Sequence, residues 1–297
     1  MSNHEPPIVA IIGVGEMGAA VAQRLRLSDA HVRVCLKGRS PESEQRARRA
    51  GVEIVNDDAA LVSGADFMLS IVPPGVAVQV AEQYRTSFAG AAKETIFADC
   101  NAIAPSTARR IGAVLAGGAC RYVDAGIIGG PPPQDLSKPG PRFYASGTDA
   151  PRLGELNGFG LDVAVLDGPI GAASGLKMSY AGLTKGITAL GTAMVAAAMR
   201  DGLGEALRSE LARTQPQILR RIGQSVPAMF PKAYRWVAEM EEIAAFLGDD
   251  ERGAMIYRGA ARLYQRMAEE GEHPEAAEGL RALVDFCSAA LASPPAR

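Results

Sequence analysis

The sequence predicts two units: an α/β unit on a mostly parallel sheet over residues 1–167, then an all-helical unit over 168–297. Three observations carry that reading. Short apolar, β-branched runs alternate with helix-forming segments through the first half, the pattern of parallel strands buried on both faces and joined by crossover helices. The first run, Ile8-Val-Ala-Ile-Ile12, passes straight into Gly13-Val-Gly15-Glu16-Met17-Gly18 and then into a helix-forming stretch over 19–27. Past Gly168 the strand signals stop and only helical periodicities remain. A length of 297 residues with 47% apolar content supports two ordinary cores.

Strand, G-x-G-x-x-G, helix is the order of a Rossmann dinucleotide-binding domain. Gly13 makes the tight turn, Gly15 lets a pyrophosphate approach the backbone, and Gly18 lets the helix pack on the strand. Amides at the helix start, at Glu16 and Met17, then suit the phosphates. The next strand, 31–36, ends in Lys37-Gly38-Arg39-Ser40. An NAD-type domain puts an acidic residue about 20 residues past the glycines. Arg39 can instead stack on adenine and pair with a 2′-phosphate, and Ser40 can donate a hydrogen bond to it. The expected cofactor is therefore NADP.

A helix over 42–50 and a strand over 51–55 follow, and Asn56-Asp-Asp58 caps a short helix through Ser63. Residues 66–72 form a fourth strand. Val72, Pro73 and Pro74 at its end offer a flat apolar wall for adenosine and ribose, and Gly75 begins another helix. Residues 95–99 are the fifth strand. Asn101, just past its carboxyl end, is placed to fix the nicotinamide ribose or the substrate, and Pro105 suits the first turn of a helix to about Leu115. Residues 121–125 are the sixth strand. The loop after it carries Ile128, Gly129 and Gly130, whose backbone amides suit a substrate carboxylate. Residues 141–146 and 161–166 read as two further strands at the sheet edge.

From 168 to about 199 the chain is small and apolar on every side, as in a buried helix. Its first half nonetheless carries Lys177, Tyr180, Thr184 and Lys185. Lys177, Tyr180 and Thr184 fall within an arc of about 60°. A buried helix with one polar stripe headed by a lysine is a place for chemistry; a snorkelling lysine beside a packed tyrosine is the plainer alternative. Residues 200–204 break this helix. Helices over 205–222 (kinked at Pro216), 231–246, 254–270 and 274–292 complete the unit. Two long apolar helices exceed what the α/β unit can cover, and Gly182, Gly186, Ala189 and Ala193 permit close helix contact. A homodimer is expected, with residues around Tyr234 and Trp236 completing the partner's site.

Composition narrows the function. A net charge of -2 supplies no basic field for nucleic acid. Cys35, Cys100, Cys120 and Cys287 lie outside metal-ligand spacing of one another and of any histidine, so no metal is expected. His4, His31 and His273 stand in polar, loop-like contexts unsuited to a histidine mechanism. Arginine outnumbers lysine, which favours Lys177 and Lys185 as residues that do what arginine cannot, such as lose a proton. The N-terminus lacks the basic region and cleavage site of a leader, and the longest apolar run, 186–199, falls short of the roughly 20 residues of a membrane span. A soluble, cytoplasmic protein is expected, with at most the last residues, 293–297, as a tail.

Taken together, Gly13-x-Gly15-x-Met17-Gly18, Gly38-Arg39-Ser40, Asp99-Cys-Asn-x-x-x-Pro105, Asp124-Ala-x-x-x-Gly129-Gly130 and Gly171-x-x-x-Gly175-x-Lys177 resemble the β-hydroxyacid dehydrogenase superfamily, which includes 6-phosphogluconate and 3-hydroxyisobutyrate dehydrogenases. The helical half resembles a subgroup described as phosphogluconate-dehydrogenase-like. The resemblance implies hydride transfer between a nicotinamide and a small hydroxy or keto compound. It also implies Lys177 as general acid/base, with Ile128, Gly129 and Gly130 beside the substrate. Tyr180 is the second catalytic candidate, and Thr184, Lys185 and Trp236 are substrate-binding candidates. Tyr180 and Ala181 stand where the family commonly has Asn, or His then Asn, and Ile128 where many members have Ser. That opens imine reduction as an alternative, and a non-catalytic NADP-binding regulator is a third.

Overall fold

A computed structural model describes residues 5–272 and 278–292. His4, His273, the expected helix start at 274–277 and the expected tail at 293–297 lie outside the described residues. The chain divides into two compact units, one up to Met178 and one from Ser179 onward.

The first unit runs β1 (Ile8–Ile12), α1 (Glu16–Leu27), β2 (His31–Cys35), α2 (Pro41–Ala50), β3 (Glu53–Val55), α3 (Asp58–Val62) and β4 (Phe67–Ser70). A 3-10 turn at Pro74–Val76 leads into α4 (Ala77–Ala89). Then come β5 (Thr95–Asp99), α5 (Pro105–Leu115), β6 (Cys120–Ile128), β7 (Arg142–Ser146), α6 (Ala150–Leu153) and β8 (Asp162–Val165). The sheet order is β3-β2-β1-β4-β5-β6-β7-β8. Every pairing is parallel except β6 with β7. The central strands bury side chains on both faces. Val9, Ile11, Leu69 and Ala98 join one core, and Ala10, Ile12, Met68 and Phe97 the other. This is why those strands read as continuous apolar runs. The chain leaves β1 for β2 on one side and later returns to β4 on the other, so a crevice opens at the carboxyl end of β1.

β6 extends three residues beyond the predicted end. Residues 126–128 pair antiparallel with 142–144, so Ile128 is a strand residue and the loop begins at Gly129.

The helical chain comprises α7 (Ala172–Arg200), α8 (Gly204–Thr214), α9 (Pro216–Met229), a 3-10 turn at Phe230–Lys232, α10 (Ala233–Leu247), α11 (Glu251–Glu272) and α12 (Glu278–Ala292). The predicted kinked helix over 205–222 is two helices. Gln215 leaves helical geometry and Pro216 opens α9, where its missing N–H costs nothing. In the second unit, Ile222, Val226, Met240, Ile243 and Tyr264 are buried. The small residues of α7 serve this packing. A Cβ on Gly182 would stand 3.0 Å from Tyr257 Oη, and one on Gly191 2.7 Å from Ile222. α7 has the length and apolar composition to cross a membrane, although the run counted in the sequence falls short, and 33% of that stretch is buried inside the protein.

Candidate functional site

Gly13 and Gly18 take the structural parts their spacing predicts, the tight turn and the close packing of helix on strand. Gly13 has φ of +90°, and a Cβ there would collide with the Ile71 carbonyl. A Cβ on Gly18 would collide with the Gly13 carbonyl, which is how closely α1 approaches β1. A Cβ on Gly15 would meet nothing within 4 Å. Among the described residues no side chain caps α1 at Gly15. A helix start without a side-chain cap, beside an open backbone position, fits a pyrophosphate. Arg46 steadies this loop, since its Nε donates to the Val14 carbonyl at 2.9 Å. No local pattern singles out that arginine in the sequence.

Arg39 and Ser40 are exposed past the end of β2. Ser40 is the N-cap of α2, its Oγ accepting the Ser43 N–H at 3.4 Å. Arg39 thus directly precedes a helix N-terminus in the chain, and the first turn of that helix carries Glu42 and Glu44. Val72, Pro73 and Pro74 follow β4, next to Gly13, where a Cβ would lie 2.9 Å from Val72 Cγ1. Asn101 differs from expectation. It is 3% exposed; its Oδ1 accepts the Val72 N–H at 2.7 Å, and its Nδ2 donates to Ser70 Oγ at 3.2 Å and Asp99 Oδ2 at 3.0 Å. Its amide ties the end of β4 to the end of β5, so it shapes the wall rather than facing a ligand.

The other half of the site is β6 and the start of α7. Lys177 Nζ donates to the Ile127 carbonyl at 2.7 Å. A Cβ on Gly126 would lie 3.0 Å from Lys177 Cβ, so only glycine lets the helix come this close. Asp124 is buried and accepts from the Gly171 and Ser174 amides and from the Ser146 and Ser174 hydroxyls. Sequence reading gave Asp124, Ser146, Ser174 and Gly126 no part in the site. Only the Asp124-Ala motif hinted at the first. Gly129, with φ of +132°, and Gly130 are exposed beyond the end of β6. The loop that follows is held by Arg24, whose Nε donates to the Gly160 carbonyl at 2.5 Å and whose other nitrogens face the Pro133 and Leu136 carbonyls.

The predicted stripe on α7 divides after Lys177. Tyr180 is 48% exposed, and Thr184 back-bonds, its Oγ1 donating to the Tyr180 carbonyl at 3.0 Å. Lys185, expected to bind substrate, is instead paired with buried Glu239 at 2.5 Å. Its Nζ lies 5.2 Å from the Trp236 ring centroid. Trp236 meets Tyr264 edge to face at 5.1 Å, and burial raises the Tyr264 phenol. Lys185, Glu239, Trp236 and Tyr264 thus form a closed polar cluster of the second unit.

Three of the four thiols are unsuited to thiol chemistry. Burial raises Cys100 well above its ordinary value, Cys120 to about 12 and Cys287 to about 11, so these stay protonated at neutral pH. Among the described residues no group of three or more His, Cys, Asp or Glu is placed to hold a metal ion.

A doubly wound sheet with a glycine cradle at its switch point, and a lysine held at the end of β6 two strands beyond β4, has the architecture of an NAD(P)-dependent oxidoreductase. Residues 8–150 match the NAD binding domain of 6-phosphogluconate dehydrogenase, and residues 198–267 match a domain of unknown function, DUF1932. A conserved protein of unknown function, described as structurally similar to 3-hydroxyacid dehydrogenases, is 30% identical, with 89% of this chain and 99% of that one covered and a TM-score of 0.64. Mycobacterium tuberculosis 3-hydroxyisobutyrate dehydrogenase, solved with L-serine, shares the fold at 19% identity, covering 97% and 100% of the two chains with a TM-score of 0.60. Aspergillus terreus reductive aminase, solved with NADPH and ethyl-5-oxohexanoate, shares it at 15% identity, covering 95% and 99% with a TM-score of 0.55. The chain belongs to the β-hydroxyacid dehydrogenase superfamily.

Proposed function

We propose that the protein is an NADP-dependent oxidoreductase acting on a small hydroxy or keto compound, with Lys177 as general acid/base. The observation that carries this is the Lys177 amine on the Ile127 carbonyl, at the strand end that leads into Gly129 and Gly130. Bound NADP supplies or accepts the hydride. When the substrate is oxidised, neutral Lys177 takes the hydroxyl proton; when it is reduced, the ammonium returns one. The Ile127 carbonyl orients the amine in both states. Arg39, with the N-terminus of α2 at Ser40, favours the 2′-phosphate of NADP. Exposed Gly129 and Gly130 offer amides to an acidic group on the substrate.

Imine reduction is the second reading, favoured by Tyr180, which is exposed one turn beyond Lys177. A panel of hydroxyacids, ketoacids, aldehydes and cyclic imines, followed by NADPH and NADH absorbance, decides. Turnover with hydroxy or keto compounds supports the first reading. Turnover with imines alone selects the second, and NADP binding without turnover across a broad panel selects a regulator.

A homodimer is part of the proposal. Leu176, Tyr180, Leu183, Ile187, Leu190 and Met194 recur along α7 in alternating steps of four and three, and each is at least 38% exposed. That is the period of a helix seam that packs on another helix, and a second copy of α7 presents the same seam. Light scattering that returns a monomer overturns it. A soluble, cytoplasmic protein is proposed with it, and fractionation of cells into membrane and soluble parts tests that.

A further inference from the structure

Asp124 has no assigned part in the reaction, yet the site is built around it. Three donors converge on one of its oxygens: the Gly171 N–H at 2.8 Å, the Ser174 N–H at 3.1 Å and the Ser146 hydroxyl at 2.9 Å. The Ser174 hydroxyl reaches the other oxygen at 2.5 Å. Ser146 Oγ in turn accepts the Ala173 N–H at 3.0 Å. Side chains of β6 and β7 thus hold three amides at the start of α7, where a helix presents unpaired donors and partial positive charge. Two residues further along β6, Gly126 admits the helix, since a Cβ there would lie 3.0 Å from Lys177 Cβ and 3.3 Å from the Ala173 carbonyl. One residue beyond that, the Ile127 carbonyl receives the amine. A slip of α7 by one residue carries Lys177 about 1.5 Å along the helix axis.

We propose that Asp124 is a positioning residue which, acting through the start of α7, sets the Lys177 amine on the Ile127 carbonyl. Its bearing on turnover rests on Lys177 being the acid/base; its bearing on the amine does not. Asp124→Asn keeps an oxygen where three donors converge, and the Ser174 hydroxyl can turn to accept from the new amide. Asp124→Ala removes every acceptor.

The test is competitive acetylation of the full-length protein with acetic anhydride, reading Lys177 against surface Lys232 by peptide mass spectrometry. In Asp124→Ala, Lys177 leaves its carbonyl and its labelling changes severalfold relative to Lys232; in Asp124→Asn it matches the wild type. With a substrate from the panel, Asp124→Ala lowers kcat per folded molecule by about 10²-fold. NADP binding and KM stay near the wild type, and Asp124→Asn restores most of kcat. Unchanged labelling in Asp124→Ala, or an Asn variant that behaves like Ala, overturns the proposal. Where Asp124→Ala does not fold, the double variant Ser146→Ala with Ser174→Ala removes both hydroxyls and is read the same way. Turnover that survives Lys177→Met sinks the acid/base reading and leaves the labelling result standing.

Discussion

Two lysines on α7 are held in opposite ways. Lys177 donates to a backbone carbonyl at 2.7 Å in the α/β unit. Lys185 pairs with the Glu239 carboxylate at 2.5 Å in the helical unit, with the Trp236 ring 5.2 Å from its amine. The first contact is one hydrogen bond to a neutral acceptor, whereas the second is an ion pair whose loss would leave the Glu239 carboxylate buried without its cation. The Lys185 pair joins α7 to α10 within the helical unit, and the proposed acid/base role falls to Lys177 alone.

The contrast breaks first at Lys177. Lys177→Met should cut turnover by about 10³-fold while NADPH binding, read by fluorescence titration, stays nearly intact. Turnover close to the wild type would end the distinction. Lys185→Met should act on the fold instead. It leaves Glu239 buried without its cation, a loss of about 3–5 kcal/mol in urea unfolding. Adding Glu239→Leu should recover much of that loss, with kcat per folded molecule unchanged throughout. Gly126→Ala falls between the two roles, because the new methyl stands 3.0 Å from Lys177 Cβ and the helix must give way. It should cost about 1–3 kcal/mol and lower kcat with little effect on NADPH binding. Arg39→Ala should reduce the preference for NADPH over NADH roughly tenfold, the loss of one charge-assisted contact, as measured by the ratio of kcat/KM values.

The smallest effect is expected in both units at once. Burial holds Cys120 up to about 12 and Cys287 up to about 11, one in each unit. A raised folded-state value means that unfolding releases protons once the unfolded thiols begin to ionise. Their contribution to stability is therefore full below about pH 9 and is lost as pH rises through the folded values. Melting temperature should be flat from pH 7 to about 9 and decline above it. A melting temperature that rises across that range would contradict the burial of both thiols.

What could be read in advance was local. The glycine loop, the apolar strands and Pro105 at the head of α5 each depend on a few neighbouring residues, and each stands where the chain implies. What could not be read depended on partners far along the chain. β6 extends to Ile128 because Arg142 pairs with it, and Lys185 is spoken for because Glu239 lies 54 positions away. The Asn101 amide turns inward because Val72, Ser70 and Asp99 surround it. Pro216 looks the same in a sequence whether it bends one helix or starts another. The polar stripe on α7 was a correct count of helical angle, but angle alone does not tell which residues share a compact unit. Met178 and Ser179 fall on opposite sides of that division.

The placement of Asp124 and Ile127 on one strand has a consequence for motion. The anchor of the helix and the acceptor of the amine stand three residues apart on β6, about 10 Å along a single extended backbone. When the sheet breathes, both ends of that span travel together, so the displacement is common to helix and acceptor and cancels in the gap between them. Movement of the sheet as a body therefore does not by itself change the distance between the helix anchor and the carbonyl. The backbone part of that clearance is set by one short strand, and the Lys177 side chain sets the rest.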